Sequence, residues 1–90
     1  MKVGKVIGSV WATRKEQKLN GLKLLIVEPQ RLNTSGGDEP FVAADIIGAG
    51  VGESVIVVSG SSARGAAGDP QIPVDATVVG IIDDMEIARS

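Results

Sequence analysis

The residues best placed to do chemistry lie between Asp45 and Arg64. In Asp45-Ile46-Ile47-Gly48-Ala49-Gly50-Val51-Gly52-Glu53-Ser54, glycines alternate at 48, 50 and 52. Bare backbone N–H groups in such a turn can wrap an anion. A P-loop needs a Lys before its Ser/Thr, however, and here Glu53 puts a negative charge at that place. A dinucleotide fingerprint needs a helix N-terminus facing the pyrophosphate, whereas Val55-Ile56-Val57-Val58 is β-branched and strand-like. The spacing therefore predicts a strand, a tight glycine corner and another strand. Other chemistry is scarce. With no His, Cys or Tyr, catalysis would fall to Ser, Asp, Glu, Lys or Arg alone. Asp83 and Asp84 are adjacent, which on a strand points them to opposite faces, so they cannot flank one reacting bond. Glu28, Asp45, Glu53 and Asp75 each fall at or near a predicted strand end, and no spacing brings two of them together. Ser61, Ser62 and Lys5 supply the residue types of a Ser–Lys pair but not its spacing. No catalytic, cofactor-binding or metal-ligating set is expected, and the chain reads as a non-enzyme.

The elements that must carry these residues read as all-β. Residues 2–12 alternate, with Val3, Ile7 and Trp11 on one parity and Val6, Val10 and Ala12 on the other; Gly4 and Gly8 interrupt the second. Glycines inside a strand mark a bend or a close backbone approach, as at the corner of a small barrel. Asn20-Gly21 is a turn signal leading into a strand over residues 22–28, which Pro29 ends because it has no N–H for a sheet. Residues 30–40 read as a surface loop, expected to be the most mobile segment. Further strands are predicted over 41–47, 54–59 and 76–83, with a long loop of small residues over 60–73. Five short strands with long polar connections predict a small OB-like β-barrel. Residues 83–89 can add one C-terminal helical turn, with acids first and Arg89 last.

The 90 residues are expected to form one domain, spanning 1–90, near the small end of what a single core stabilises. Trp11 and Phe41 are the only aromatics, and the absence of Cys and His removes disulfides and zinc as staples. Oligomerisation is the remaining supplement. A net charge of −2 argues against nucleic acid. The early basic residues Lys2, Lys5, Arg14, Lys15 and Lys18, interrupted by Glu16, read as a solvated loop. No segment resembles a signal peptide or reaches membrane-spanning length, so a cytoplasmic location with no membrane partner is expected. In Gly60-Ser61-Ser62-Ala63-Arg64, small residues predict a tight turn that leaves Arg64 free to lie flat against another chain and grip a carboxylate with both arms.

Lys5-Val6-Ile7-Gly8, Thr13-Arg14-Lys15, Leu24-Leu25-Ile26-Val27, Ala44-Asp45, the glycine–glutamate corner 48–53, Gly60-Ser61-Ser62-Ala63-Arg64, Pro73-Val74-Asp75 and Val79-Gly80-Ile81-Ile82-Asp83 follow one another along nearly the whole chain. Together they resemble the EutN/CcmL family, the pentameric vertex proteins of bacterial microcompartments. The resemblance implies a β-barrel protomer whose homopentamer, a truncated pentagonal pyramid, caps the corners of a polyhedral shell tiled by hexameric shell proteins. It implies no catalytic residues and no cofactor. On this resemblance Gly48, Ala49, Gly50, Gly52 and Glu53, with Gly60, Ser61, Ser62, Ala63 and Arg64, are expected at the subunit interface or pore rim. Glu53 and Arg64 are candidates for pairing across it, since neither has an evident partner in its own loop. At least one of the alternating glycines should adopt positive φ or lie against a neighbouring backbone. The alternative from another class is an OB-type module for single-stranded nucleic acid, which needs stacking aromatics and a basic groove.

Overall fold

A computed structural model describes residues 1–12, 15, 17–30 and 39–86. In it the β-branched runs pair as five strands, β1 (Lys2–Val10), β2 (Lys23–Pro29), β3 (Phe41–Asp45), β4 (Ser54–Ser59) and β5 (Ala76–Ile82). They close a barrel in the order β1-β2-β3-β5-β4, which leaves no sheet edge unpaired. All neighbours are antiparallel except β3 and β5, which run parallel through Ala44↔Thr77 and Asp45↔Val78. Parallel neighbours need a crossover, and here β4 and the helix α1 (Gly60–Ala67) supply it.

The core follows from period-two alternation. Leu25 and Val27 of β2, Val55 and Val57 of β4, and Val78 of β5 point inward with Val6, Ala43, Ala49 and Ala76. Phe41 and Ile81 pack on their margin, so the interior is almost purely aliphatic. Ala44 is buried on the other face of β3, beneath Pro73 and Val74 of the segment leading into β5.

The alternation fails in β1. Val6 pairs with Val27 but Gly8 pairs with Ile26, so Ile7 is an extra residue in a bulge. Cross-strand partners share a face. Val6 therefore joins the core, while Val10, opposite the outward Leu24, faces away from it. The sequence parity that put Val6 and Val10 together is corrected by that one residue. Gly4 meets its expectation of a close approach: a Cβ there would run into the Val27 side chain and lie 3.0 Å from the Glu28 carbonyl oxygen.

Two other expectations are corrected. The segment 60–73 is not all loop, because residues 60–67 form α1 and Gly68, at φ 114°, closes it. β3 stops at Asp45, since its side chain turns the following backbone into a bend. The Asn20-Gly21 turn forms as read, with Gly21 at φ 83°, after a short 3₁₀ turn over Gln17–Leu19. Residues 83–86 are not helical. The rest of that predicted turn, Thr13, Arg14, Glu16 and most of the loop read as mobile lie outside the described residues.

Candidate functional site

The corner between β3 and β4 does wrap an anion, and the anion is the chain's own. Asp45, nearly buried, accepts hydrogen bonds from the N–H groups of Ile47 (3.0 Å), Gly48 (3.1 Å) and Ala49 (2.9 Å). Successive amides converging on one carboxylate form a nest. Lys23 completes the arrangement: its ammonium lies 3.8 Å from Asp45 Oδ2 and donates to the Ala49 carbonyl at 2.7 Å. Glu53 in turn accepts the Gly50 N–H at 2.6 Å. The amides of residues 47–50 are thus bound to internal carboxylates, which leaves them no free donor for a phosphate. Glu53 has a partner in its own loop, contrary to the expectation from sequence.

Backbone bonds sew the corner to β1. Gly52 donates to the Val6 carbonyl at 2.8 Å and Val6 to the Glu53 carbonyl at 2.9 Å, extending the β1–β4 ladder beyond Ser54. Gly48 (φ 94°) and Gly52 (φ 95°) carry the left-handed conformations that the alternating glycines require, while Gly50 does not. Ala49 is fully buried in the barrel core, so it shapes the corner from beneath. The outer surface is left to Gly48, Gly52 and the exposed side chains of Ile46, Ile47 and Val51.

The second group sits at the other end of β4. Gly60, at φ 63°, starts α1 and donates to the Asp75 carbonyl at 3.0 Å. Ala63 is fully buried, and its carbonyl accepts the Thr77 hydroxyl at 2.7 Å, which pins α1 to β5. Ser61 and Ser62 are exposed, and the half-buried Arg64 has no hydrogen-bond or ion-pair partner among the described residues. Five of the candidate residues therefore stand at each end of a strand of six residues, about 20 Å long. Glu53 and Arg64 do not meet within one protomer.

Asp45 and Lys23 organise the corner, although sequence reading did not single them out for it. The available signal was an Asp two to four residues before glycine-rich backbone, the spacing at which its carboxylate reaches following N–H groups. Lys23 carried no such signal, because it is 26 residues from the carbonyl it binds. Among the described residues no three acidic side chains gather as a metal site, and no helix is long and apolar enough to cross a membrane.

Comparison with known proteins points the same way throughout. Residues 1–83 match the family model described as ethanolamine utilisation protein EutN/carboxysome. The carboxysome shell vertex protein CcmL of Synechocystis sp. is 46% identical over 92 residues, covering 98% of this chain and 88% of that one. The bacterial microcompartment shell vertex protein GrpN of Rhodospirillum rubrum is 47% identical over 88 residues, covering 96% and 97%. The solved structure of the GrpN pentameric microcompartment shell protein superposes with a TM-score of 0.86 at 43% identity, over 98% of this chain and all of the other.

Proposed function

Because this chain belongs to the EutN/CcmL family, we propose that it is a structural protein whose homopentamers cap the vertices of a bacterial microcompartment shell in the cytoplasm. The observation that carries this reading is the match, over 98% of this chain, to a solved pentameric shell protein. The relatives bear the name of shell vertex proteins, which supports this reading over the nucleic-acid module.

The physical logic is one of curvature. Hexagonal tiles alone make a flat sheet, and closure into a container needs pentagons at its corners. A ring forms from a head-to-tail contact when two different patches of one protomer meet at a rotation that divides the full circle. The protomer must then expose apolar surface on more than one side. Ile7, Trp11, Val42, Ile47, Val51 and Met85 are all large and exposed, and they are the residues available to such contacts. The glycine corner and the α1 end remain the proposed interface and rim regions. Hexameric shell proteins are the partners at the outer edge of the ring.

Native mass spectrometry of the purified protein at micromolar concentration tests the assembly. A homopentamer is expected; monomer or dimer as the sole species overturns the reading.

A further inference from the structure

Trp11 is 94% exposed, directly after the end of β1. Beside it the hairpin forms an open cavity of about 460 Å³, lined among others by Val10, Trp11, Lys15, Leu22, Lys23 and Leu24. A volume of that order is typical of sites that enclose a ligand or a few side chains. Its lining combines apolar side chains with two ammonium groups. Among the described residues the Lys15 ammonium donates to the Ala12 carbonyl alone, at 3.5 Å, and Lys23 is half-exposed despite its bond to Ala49. An exposed Trp that a partner covers is a common anchor of protein interfaces, and with two lysines beside it this groove suits an extended segment that is both acidic and apolar.

The chain itself carries such a segment. After Ile82 it leaves the barrel as Asp83-Asp84-Met85-Glu86, with every residue exposed and the Met85 side chain uncovered. Its Met85 N–H donates within the stretch, to Asp84 Oδ1 at 2.8 Å. Topology then decides whose groove it can reach. In the order β1-β2-β3-β5-β4, β5 lies across the barrel from the β1–β2 seam, so the segment and the groove of one protomer stand on opposite sides. They share one end of the barrel. Ile82 pairs with Ser54 beside the glycine corner, and Lys23 pairs with Asp45 beside the same corner. A head-to-tail contact needs two different patches, and a closed ring needs them at equal height, because rotation without rise joins patches of one level.

We infer that residues 83–86 of one protomer dock in the Trp11 groove of the next. Met85 packs on the indole, as thioethers do against aromatic rings, and the three carboxylates face Lys15 and Lys23. This rests on the ring proposed above, and deepens it by naming the segment and the groove that join.

Trp11 is the sole Trp and there is no Tyr, so intrinsic emission reports this site alone. The measurement is the emission maximum of the assembled ring and of protomers released by dilution, with assembly followed separately by native mass spectrometry. The ring of the full chain should emit at shorter wavelength than the protomer. That shift should be lost in a chain ending at Asp83. It should also be lost in the full-length double variant Asp84→Lys, Glu86→Lys, which keeps the intact length in case the truncated chain folds poorly. A ring whose Trp11 emits like the free protomer, or a double-variant ring that keeps the blue shift, overturns the inference and leaves the pentamer standing. A chain that never forms a ring overturns both.

Discussion

Asp45 shows how much one side chain can organise in a small protein. Its carboxylate holds three consecutive amides and lies beside the Lys23 ammonium, at a position almost closed to water. Buried N–H groups stripped of an acceptor cost roughly 1–3 kcal/mol each, less whatever water recovers. Asp45→Ala should therefore destabilise the protomer by about 3 kcal/mol or more, measured by urea unfolding. Asp45→Asn should cost less, about 2 kcal/mol, because one oxygen is kept while the other becomes a donor facing donors. Against a total stability on the order of 5–13 kcal/mol for a domain of this length, the Ala variant is a severe lesion. The glycines of the corner divide by backbone conformation. Gly48→Ala and Gly52→Ala should each cost about 1–2 kcal/mol, since both positions hold φ near 95° with open space around them, leaving strain rather than collision. Gly50→Ala should cost less in the protomer, where a Cβ meets only Glu53 Oε1 at 3.4 Å. A Gly50 variant that folds normally but fails to assemble would locate the corner at a subunit contact.

At the scale of elements, α1 is the piece that local sequence argues against most strongly. Gly60, Ser61, Ser62 and Gly65 are all weak helix formers, and eight residues are too few to be helical alone. Ala63 buried against the barrel and the Thr77 hydroxyl on its carbonyl hold the helix in place. Gly65 sits inside it with nothing near its missing Cβ. Gly65→Ala should accordingly stabilise the protomer by about 0.5–1 kcal/mol in the same unfolding assay. Arg64 on this helix has donors without acceptors among the described residues. Arg64→Ala should leave the circular dichroism of the protomer unchanged and weaken the ring by about 2 kcal/mol per contact, read as dissociation at higher protein concentration in sedimentation velocity. An unchanged dissociation profile would reduce Arg64 to a surface residue.

At the scale of the whole molecule, folding and assembly are linked. A protomer with an aliphatic core and several exposed large apolar residues gains stability from any partner that binds only its folded form. The melting temperature should thus rise with protein concentration, and calorimetry over a hundredfold range should resolve the trend. A concentration-independent transition would mean that the barrel stands alone.

Much of this molecule was legible in the chain. Runs of β-branched residues alternating in or out, bounded by Asn20-Gly21, Pro29 and the glycine corner, determine five strands because backbone sterics and burial act within a few residues. The ordered motifs likewise determine the family. What local pattern could not carry was decided by contacts distant in sequence. The bulge at Ile7 arises from register against β2 and reverses the facing of Val10. The helix over residues 60–67 exists because Thr77 and the barrel wall receive it. Asp45 meets Lys23 only because β2 and β3 are neighbours, and the same closure sets β5 across from the β1–β2 hairpin. Periodicity reads one element at a time, whereas pairing, register and the height of a patch on a barrel are properties of elements taken together.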